Sequence, residues 1–132
     1  LRAAARKRRD PILVDTSVWI DHLRGSDHRL TQLLEGGRVL VHPFVIGEIA
    51  LGNLRRRDRV LDALHDLPRA AVATEQEVLN FIDRNALFGY GIGYVDAHLL
   101  AAIQLTPSAK LWTHDKRLHD AADHLTLAAD LP

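Results

Sequence analysis

The tightest constraint on how this chain can fold is a rhythm in its apolar residues. Runs too short to be anything but strands, at residues 12–14, 38–41, 70–73, 110–113 and 125–128, alternate with longer stretches of helical periodicity. Leu30, Leu33 and Leu34 share one helical face, with Ser26 as the expected cap and Gly36 and Gly37 as the stop. Pro43 suits the first position of a helix carrying Val45, Ile46, Ile49 and Ala50. Val60, Leu61, Leu64 and Leu67 form a further helical stripe that Pro68 ends. Thr74 and Glu77 make a capping box ahead of Val78, Leu79, Ile82 and Leu87. Residues 95–105 read as a buried helix that stops before Pro107. Strands alternating with helices predict βαβ units and a mainly parallel sheet covered on both faces, so the expected fold class is α/β. A chain of 132 residues has room for one such core and not for two.

Composition excludes several function classes. Cysteine is absent, which removes disulfides and thiolate metal sites and fits a reducing, cytoplasmic compartment. No apolar run reaches the roughly 20 residues of a membrane helix, so no membrane role is expected. The 17 basic and 17 acidic residues cancel, but the basic ones cluster. Arg2, Arg6, Lys7, Arg8 and Arg9 crowd a leader at residues 1–10, expected to be flexible or appended, ahead of a single domain at 11–132. Arg55, Arg56, Arg57 and Arg59 form a second cluster, readable as a polyanion contact or as ordinary solvated charge.

Acids at particular places carry the chemistry. Ligands of an open parallel sheet bind beyond the carboxyl ends of its strands. Asp15 follows the first strand there, although Asp is also a good helix N-cap and Thr16 and Ser17 can start a helix directly. Asp115 follows a later strand in "KLWTHD". In "GYVDAHLLAAI" Asp96 shares a helical face with Leu99, Leu100 and Ile103, which aims a carboxylate toward the core. There it needs an ion pair, hydrogen bonds or a metal. Glu48 lies at the edge of the face formed by Val45 and Ile49, with Gly52 one turn on. Four converging carboxylates raise one another's pKa, and a divalent cation resolves the conflict. All-oxygen ligands favour Mg²⁺, or Mn²⁺ in its place, over Zn²⁺, and Mg²⁺ favours phosphate-ester chemistry.

The segments "ILVDTSVWID", "HPFVIGEIALGNL", "GIGYVDAHLLAA" and "LWTHDKRL", in this order and spacing, resemble PIN-domain ribonucleases, above all the VapC-type toxins of toxin–antitoxin pairs. The resemblance covers roughly residues 11 to 128 and implies a three-layer α/β/α sandwich with a short parallel sheet. It implies a Mg²⁺-dependent endoribonuclease that leaves 5′-phosphate and 3′-hydroxyl ends, a homodimer, and a VapB-type antitoxin that blocks the site. Asp15, Glu48, Asp96 and Asp115 match the family's acidic positions. Asp15 and Asp96 are then the expected direct ligands, with Glu48 and Asp115 acting through water or a second ion. Thr113 matches a supporting hydroxyl, and Thr16 and Ser17 follow the first acid in the family's manner. Lys116, Arg117, Arg55 and Arg56 are the expected contacts to the RNA backbone.

Other features are read as structural. The eight histidines include His114, His119 and His124, but their five-residue spacing puts no pair on one helix face for zinc. Trp19 and Trp112 read as core rather than as base-stacking platforms. "GYGIGY" lacks the phosphate-loop lysine and reads as a lead-in to the Asp96 helix, its third glycine leaving room near substrate. Two other classes compete. A receiver-like or phosphotransferase domain would use Asp15, but Ser17 stands where a second Asp is wanted and Lys116 is a poor substitute for the receiver lysine. The other is a non-catalytic PIN-like module that binds RNA or protein.

Overall fold

In the computed structural model of the chain, residues 10–131 are described; residues 1–9, which hold the basic leader, and Pro132 lie outside the described residues. Three short parallel strands form the sheet: β1 (Ile12–Val14), β2 (Val39–Leu40) and β3 (Lys110–Trp112), in the order β2-β1-β3. In register, Leu13 stands beside Leu40 on one side and Leu111 on the other. Successive side chains of a strand point to opposite faces, so a strand buried at every residue has both faces covered. β1 meets that condition, with Ile12, Leu13 and Val14 all at or below 2% exposure. The result is the expected α/β/α sandwich.

Seven helices are described. They are α1 (Thr16–Arg24), α2 (His28–Glu35), α3 (Pro43–Ala50), α4 (Arg57–His65), α5 (Glu75–Arg84), α6 (Tyr94–Leu105) and α7 (Lys116–His124). Where caps are local, the sequence places them correctly. Pro43 opens α3, and Thr74 and Glu77 form the reciprocal capping box of α5. The cap of α2 is Asp27 and not Ser26: its carboxylate accepts the Arg29 amide at 2.8 Å and also pairs with the Arg29 guanidinium at 3.2 Å. α6 is buried from Ala97 through Ile103 and packs on β3, as does α7 through its apolar stripe of Leu118, Ala121 and Ala122.

Two expected strands are reduced to single bridges. The 70–73 run is not a strand; only Arg69 bridges Val41, and Ala70 N–H donates to Val41 O at 3.0 Å. The 125–128 run contributes only the bridge of Ala128 to Leu111. Both lie at the outer edges of the sheet, where a segment is held from one side only. The Ala71 amide turns instead to Thr106 Oγ1 at 2.9 Å.

The strand order decides where a site can form. The connection leaving β1 runs toward β2, whereas the connection leaving β3 runs toward the opposite edge. The loops therefore diverge between the carboxyl ends of β1 and β3, the topological switch point where ligands of such sheets bind.

Candidate active site

Asp15 stands at that switch point, its amide donating to Trp112 O at 2.9 Å, so β1 and β3 remain paired right up to it. It is the N-cap residue of α1, but its side chain does not cap the helix. Instead, Oδ2 accepts from Ser17 Oγ at 2.8 Å and from Thr113 Oγ1 at 2.7 Å. Each hydroxyl has one hydrogen, and each gives it to Asp15. Each also accepts a main-chain N–H, Ser17 from His114 at 3.0 Å and Thr113 from Asp115 at 3.0 Å. Oδ2 is thus occupied and the carboxylate's orientation set, while Oδ1 has no donor among the described residues. Asp15 is 6% exposed and Thr113 7%, so the heart of this network is buried, with Ser17 at its half-buried edge.

The other acids arrive from separate elements. Asp115 lies two residues beyond the point where Thr113 leaves the sheet and caps α7 through Oδ1, which accepts the Leu118 amide at 3.0 Å. Glu48, on α3, is exposed rather than aligned with the apolar face, and its Oε1 accepts from Thr16 Oγ1 at 2.7 Å. Asp96 is half-buried in the first turn of α6, at the rim of the core and not within it. Its Oδ2 accepts the Gly93 amide at 3.0 Å, one half of a capping box whose other half a glycine cannot supply.

Electrostatics tie these groups together. Burial pushes the Asp96 carboxyl above the usual carboxylate range; the Gly93 hydrogen bond opposes this, and the charges of Asp15, Asp115 and Glu48 add to the rise. Among the described residues none of the four acids has a cation within ion-pair distance, so Asp96 is not held there by an ion pair with any of them. A group whose folded pKa is raised loses stability as pH climbs through its titration, because the native state binds the extra proton only below it. Asp96→Asn keeps the acceptor for Gly93 and removes the charge. Without added metal it should therefore melt higher than the parent at pH 7, and the gain should vanish below the ordinary Asp pKa. Thermal denaturation across pH in a chelating buffer checks this.

The donor set suits a hard divalent cation: all oxygen, no sulfur, and mutual repulsion that a cation would relieve. Among the described residues, no three acidic or histidine groups stand close enough to enclose an ion unaided.

The basic residues divide. Lys116 holds Asp120 at 2.9 Å across one turn, in a pair exposed enough to open readily. The Arg117 side chain lies over the main chain of Gly91, where a β-carbon would come within 3.1 Å of its Cδ and Nη1. Gly91 also has φ +74°, so the second glycine of "GYGIGY" makes the close approach to Arg117, while a β-carbon on the third, Gly93, would meet only Asp96 Oδ2, at 3.8 Å. Arg55 and Arg56 are exposed. Arg56, Arg57, Asp58 and Arg59 line a shallow cavity of about 430 Å³, and Arg57 ties this cluster to the end of α3 through Nε and Nη2 to Ala50 O at 3.0 and 2.8 Å.

Several residues are organised in ways the sequence did not announce. Trp19 and Trp112 are core residues as expected, but nothing local marked the Arg29 guanidinium that lies 5.0 Å from the Trp112 ring centroid. His42 and His98 are buried and linked edge-on through Phe44, with ring centroids 5.1 and 4.7 Å apart, and Tyr94 extends the row. Burial, with the nearby charges of His98 and Arg69, pushes the His42 pKa down to about 4, so it is a neutral core group at ordinary pH. Its Nδ1 caps α3 by accepting the Phe44 amide at 3.0 Å. His114, set aside as a zinc ligand, faces Asp21 at 2.6 Å. Their 93-residue separation left no local signal to find.

A profile of the PIN domain matches residues 12–124. The chain is also 52% identical over 110 residues to Ribonuclease VapC32 of Mycobacterium tuberculosis, in strains CDC 1551 / Oshkosh and ATCC 25618 / H37Rv, covering 83% of this chain and 89% of the relative. With the fold, the order of the acids and these matches in agreement, the chain belongs to the PIN-domain family and is of the VapC type.

Proposed function

We propose that this protein is a Mg²⁺-dependent endoribonuclease, the toxin of a toxin–antitoxin pair, with Mn²⁺ able to substitute. The observation that carries the proposal is the gathering of acids from separate elements, none with a cationic partner among the described residues: Thr113 links Asp15 to Asp115, Thr16 beside Asp15 holds Glu48, and Asp96 is near enough to feel their charges. The VapC relatives, named as ribonucleases, support the same reading. Residues 11–132 would form the single catalytic domain, preceded by the basic leader at 1–10.

Asp15 and Asp96 would hold the ion most directly, with Glu48 and Asp115 reaching it through water or a second ion. When bound, the ion supplies the Lewis acidity that makes water a competent nucleophile and offsets charge on the phosphoryl oxygens. The chain's own groups do the rest. Ser17 and Thr113 fix Asp15 through Oδ2 and leave Oδ1 for an ion, and Thr16 steadies Glu48. Arg117, Lys116, Arg55 and Arg56 hold backbone phosphates, contacts that give salt-dependent affinity and little base selectivity. The Lys116 ammonium rests on Asp120 rather than beside Asp15, which leaves the receiver-like reading without its lysine.

Like others of the VapC type, the chain would pair with a VapB-type antitoxin, form a homodimer and act in the cytoplasm. No helix among the described residues is long and apolar enough to cross a membrane. The function is tested by incubating the protein with total RNA in Mg²⁺ or in EDTA and mapping the new ends. The expected result is cleavage only with metal, leaving 5′-phosphates. Fragments ending in 2′,3′-cyclic phosphate, the mark of attack by the ribose hydroxyl, would overturn it.

A further inference from the structure

His114 sits between Thr113 and Asp115, and its ring takes no part in the network around Asp15. It is nevertheless held firmly. Its Nδ1–H donates to Asp21 Oδ2 at 2.6 Å, since a carboxylate can only accept, and its ring meets Trp112 edge-on with centroids 5.8 Å apart. Its main-chain N–H donates to Ser17 Oγ at 3.0 Å. Ser17 and Asp21 lie four residues apart on one face of α1, so a single helix grips this residue twice, at the backbone and at the ring. The side chains of His114 and Asp21 are 32% and 56% exposed, so burial does not force them together.

We propose that Asp21 and His114 are positioning residues that hold the turn carrying Asp115 against the helix headed by Asp15. They fix the spacing of the two acids before any cation arrives. The proposal rests on the metal-dependent reading above. The charges of Asp15, Asp115 and Glu48 all bear on Asp96, and the Ser17 and Thr113 hydroxyls alone would leave the turn some freedom to pivot. The added ring contact removes that freedom. It is charge-assisted, the stronger kind of hydrogen bond. Partners that orient ligands from behind in this way set metal affinity without touching the metal.

The test compares Asp21→Ala, His114→Ala, their combination and Asp21→Asn, which keeps an acceptor oxygen for the ring. Mn²⁺ binding is measured by calorimetry without RNA, and Mn²⁺ dependence of cleavage is measured separately. Each alanine variant should bind Mn²⁺ about tenfold more weakly. The double variant should be no worse than the single ones, because losing either partner already frees the ring. Asp21→Asn should restore most of the affinity, and kcat at saturating Mn²⁺ should change little. Unchanged Mn²⁺ affinity in both alanine variants, with only a lower melting temperature, would overturn the proposal and leave a purely structural contact. If the parent binds no Mn²⁺, or Asp15→Asn binds it as well as the parent does, the metal reading fails and the proposal with it.

Discussion

Asp15→Asn should reduce RNA cleavage by a thousandfold or more, about 4 kcal/mol of lost transition-state stabilisation, while the protein stays folded. The asparagine is isosteric, and its amide oxygen can still accept from Ser17 and Thr113, so the buried network survives. What changes is the atom facing the site: an NH₂ group, a donor, replaces the carboxylate oxygen that would meet a cation. Stability without metal should be equal to or above that of the parent at neutral pH, because one of the charges repelling Asp96 is gone. For the same reason Asp96 should titrate closer to its ordinary range in this variant, which an NMR titration of its carboxyl carbon can follow. Single-turnover cleavage with titrated Mg²⁺ supplies the main readout. Parent-like rates would remove Asp15 from the metal site and, with it, the argument from the strand end.

Leu13→Ala should strongly destabilise the fold. Leu13 is fully buried at the centre of the middle strand, with Leu40 and Leu111 as its neighbours in register. No edge or solvent is near enough for the surroundings to collapse into the space it leaves. Truncating such a leucine costs about 2–5 kcal/mol, a large part of the roughly 5–15 kcal/mol that holds a domain folded. The melting temperature should fall by roughly 10 °C. Leu51→Ala is the matched control: Leu51 is 90% exposed, and its loss should cost no more than about 0.5 kcal/mol. Cleavage per folded molecule should also drop in Leu13→Ala, since Asp15 follows two residues on, just past the end of that strand. Denaturant melts run beside active-fraction measurements separate the two effects.

Much of this architecture could be read along the chain, because the physics involved is local. Pro43 at a helix start, the Thr74 and Glu77 capping box and the buried stripe of α6 depend on residues within a turn or two of one another. Asp15 and Asp115 also stand out locally, as carboxylates just past apolar runs, whereas Glu48, which is exposed, and Asp96, at the rim of the core, sit less deeply than a helix-face pattern implies. The 70–73 run was misread because apolar residues at a sheet edge look like those in its interior, and only the number of flanking strands tells them apart.

Tertiary structure alone decided the rest. The order β2-β1-β3 places the diverging loops between Asp15 and Asp115, and order follows from crossovers, not from composition. The hydroxyl hydrogen that Thr113 gives to Asp15 spans 98 residues, and the grip of Asp21 on His114 spans 93. Short-range pattern carries no trace of either, because a hydrogen bond needs its two atoms within about 3 Å, and only the folded sheet brings such distant residues that close.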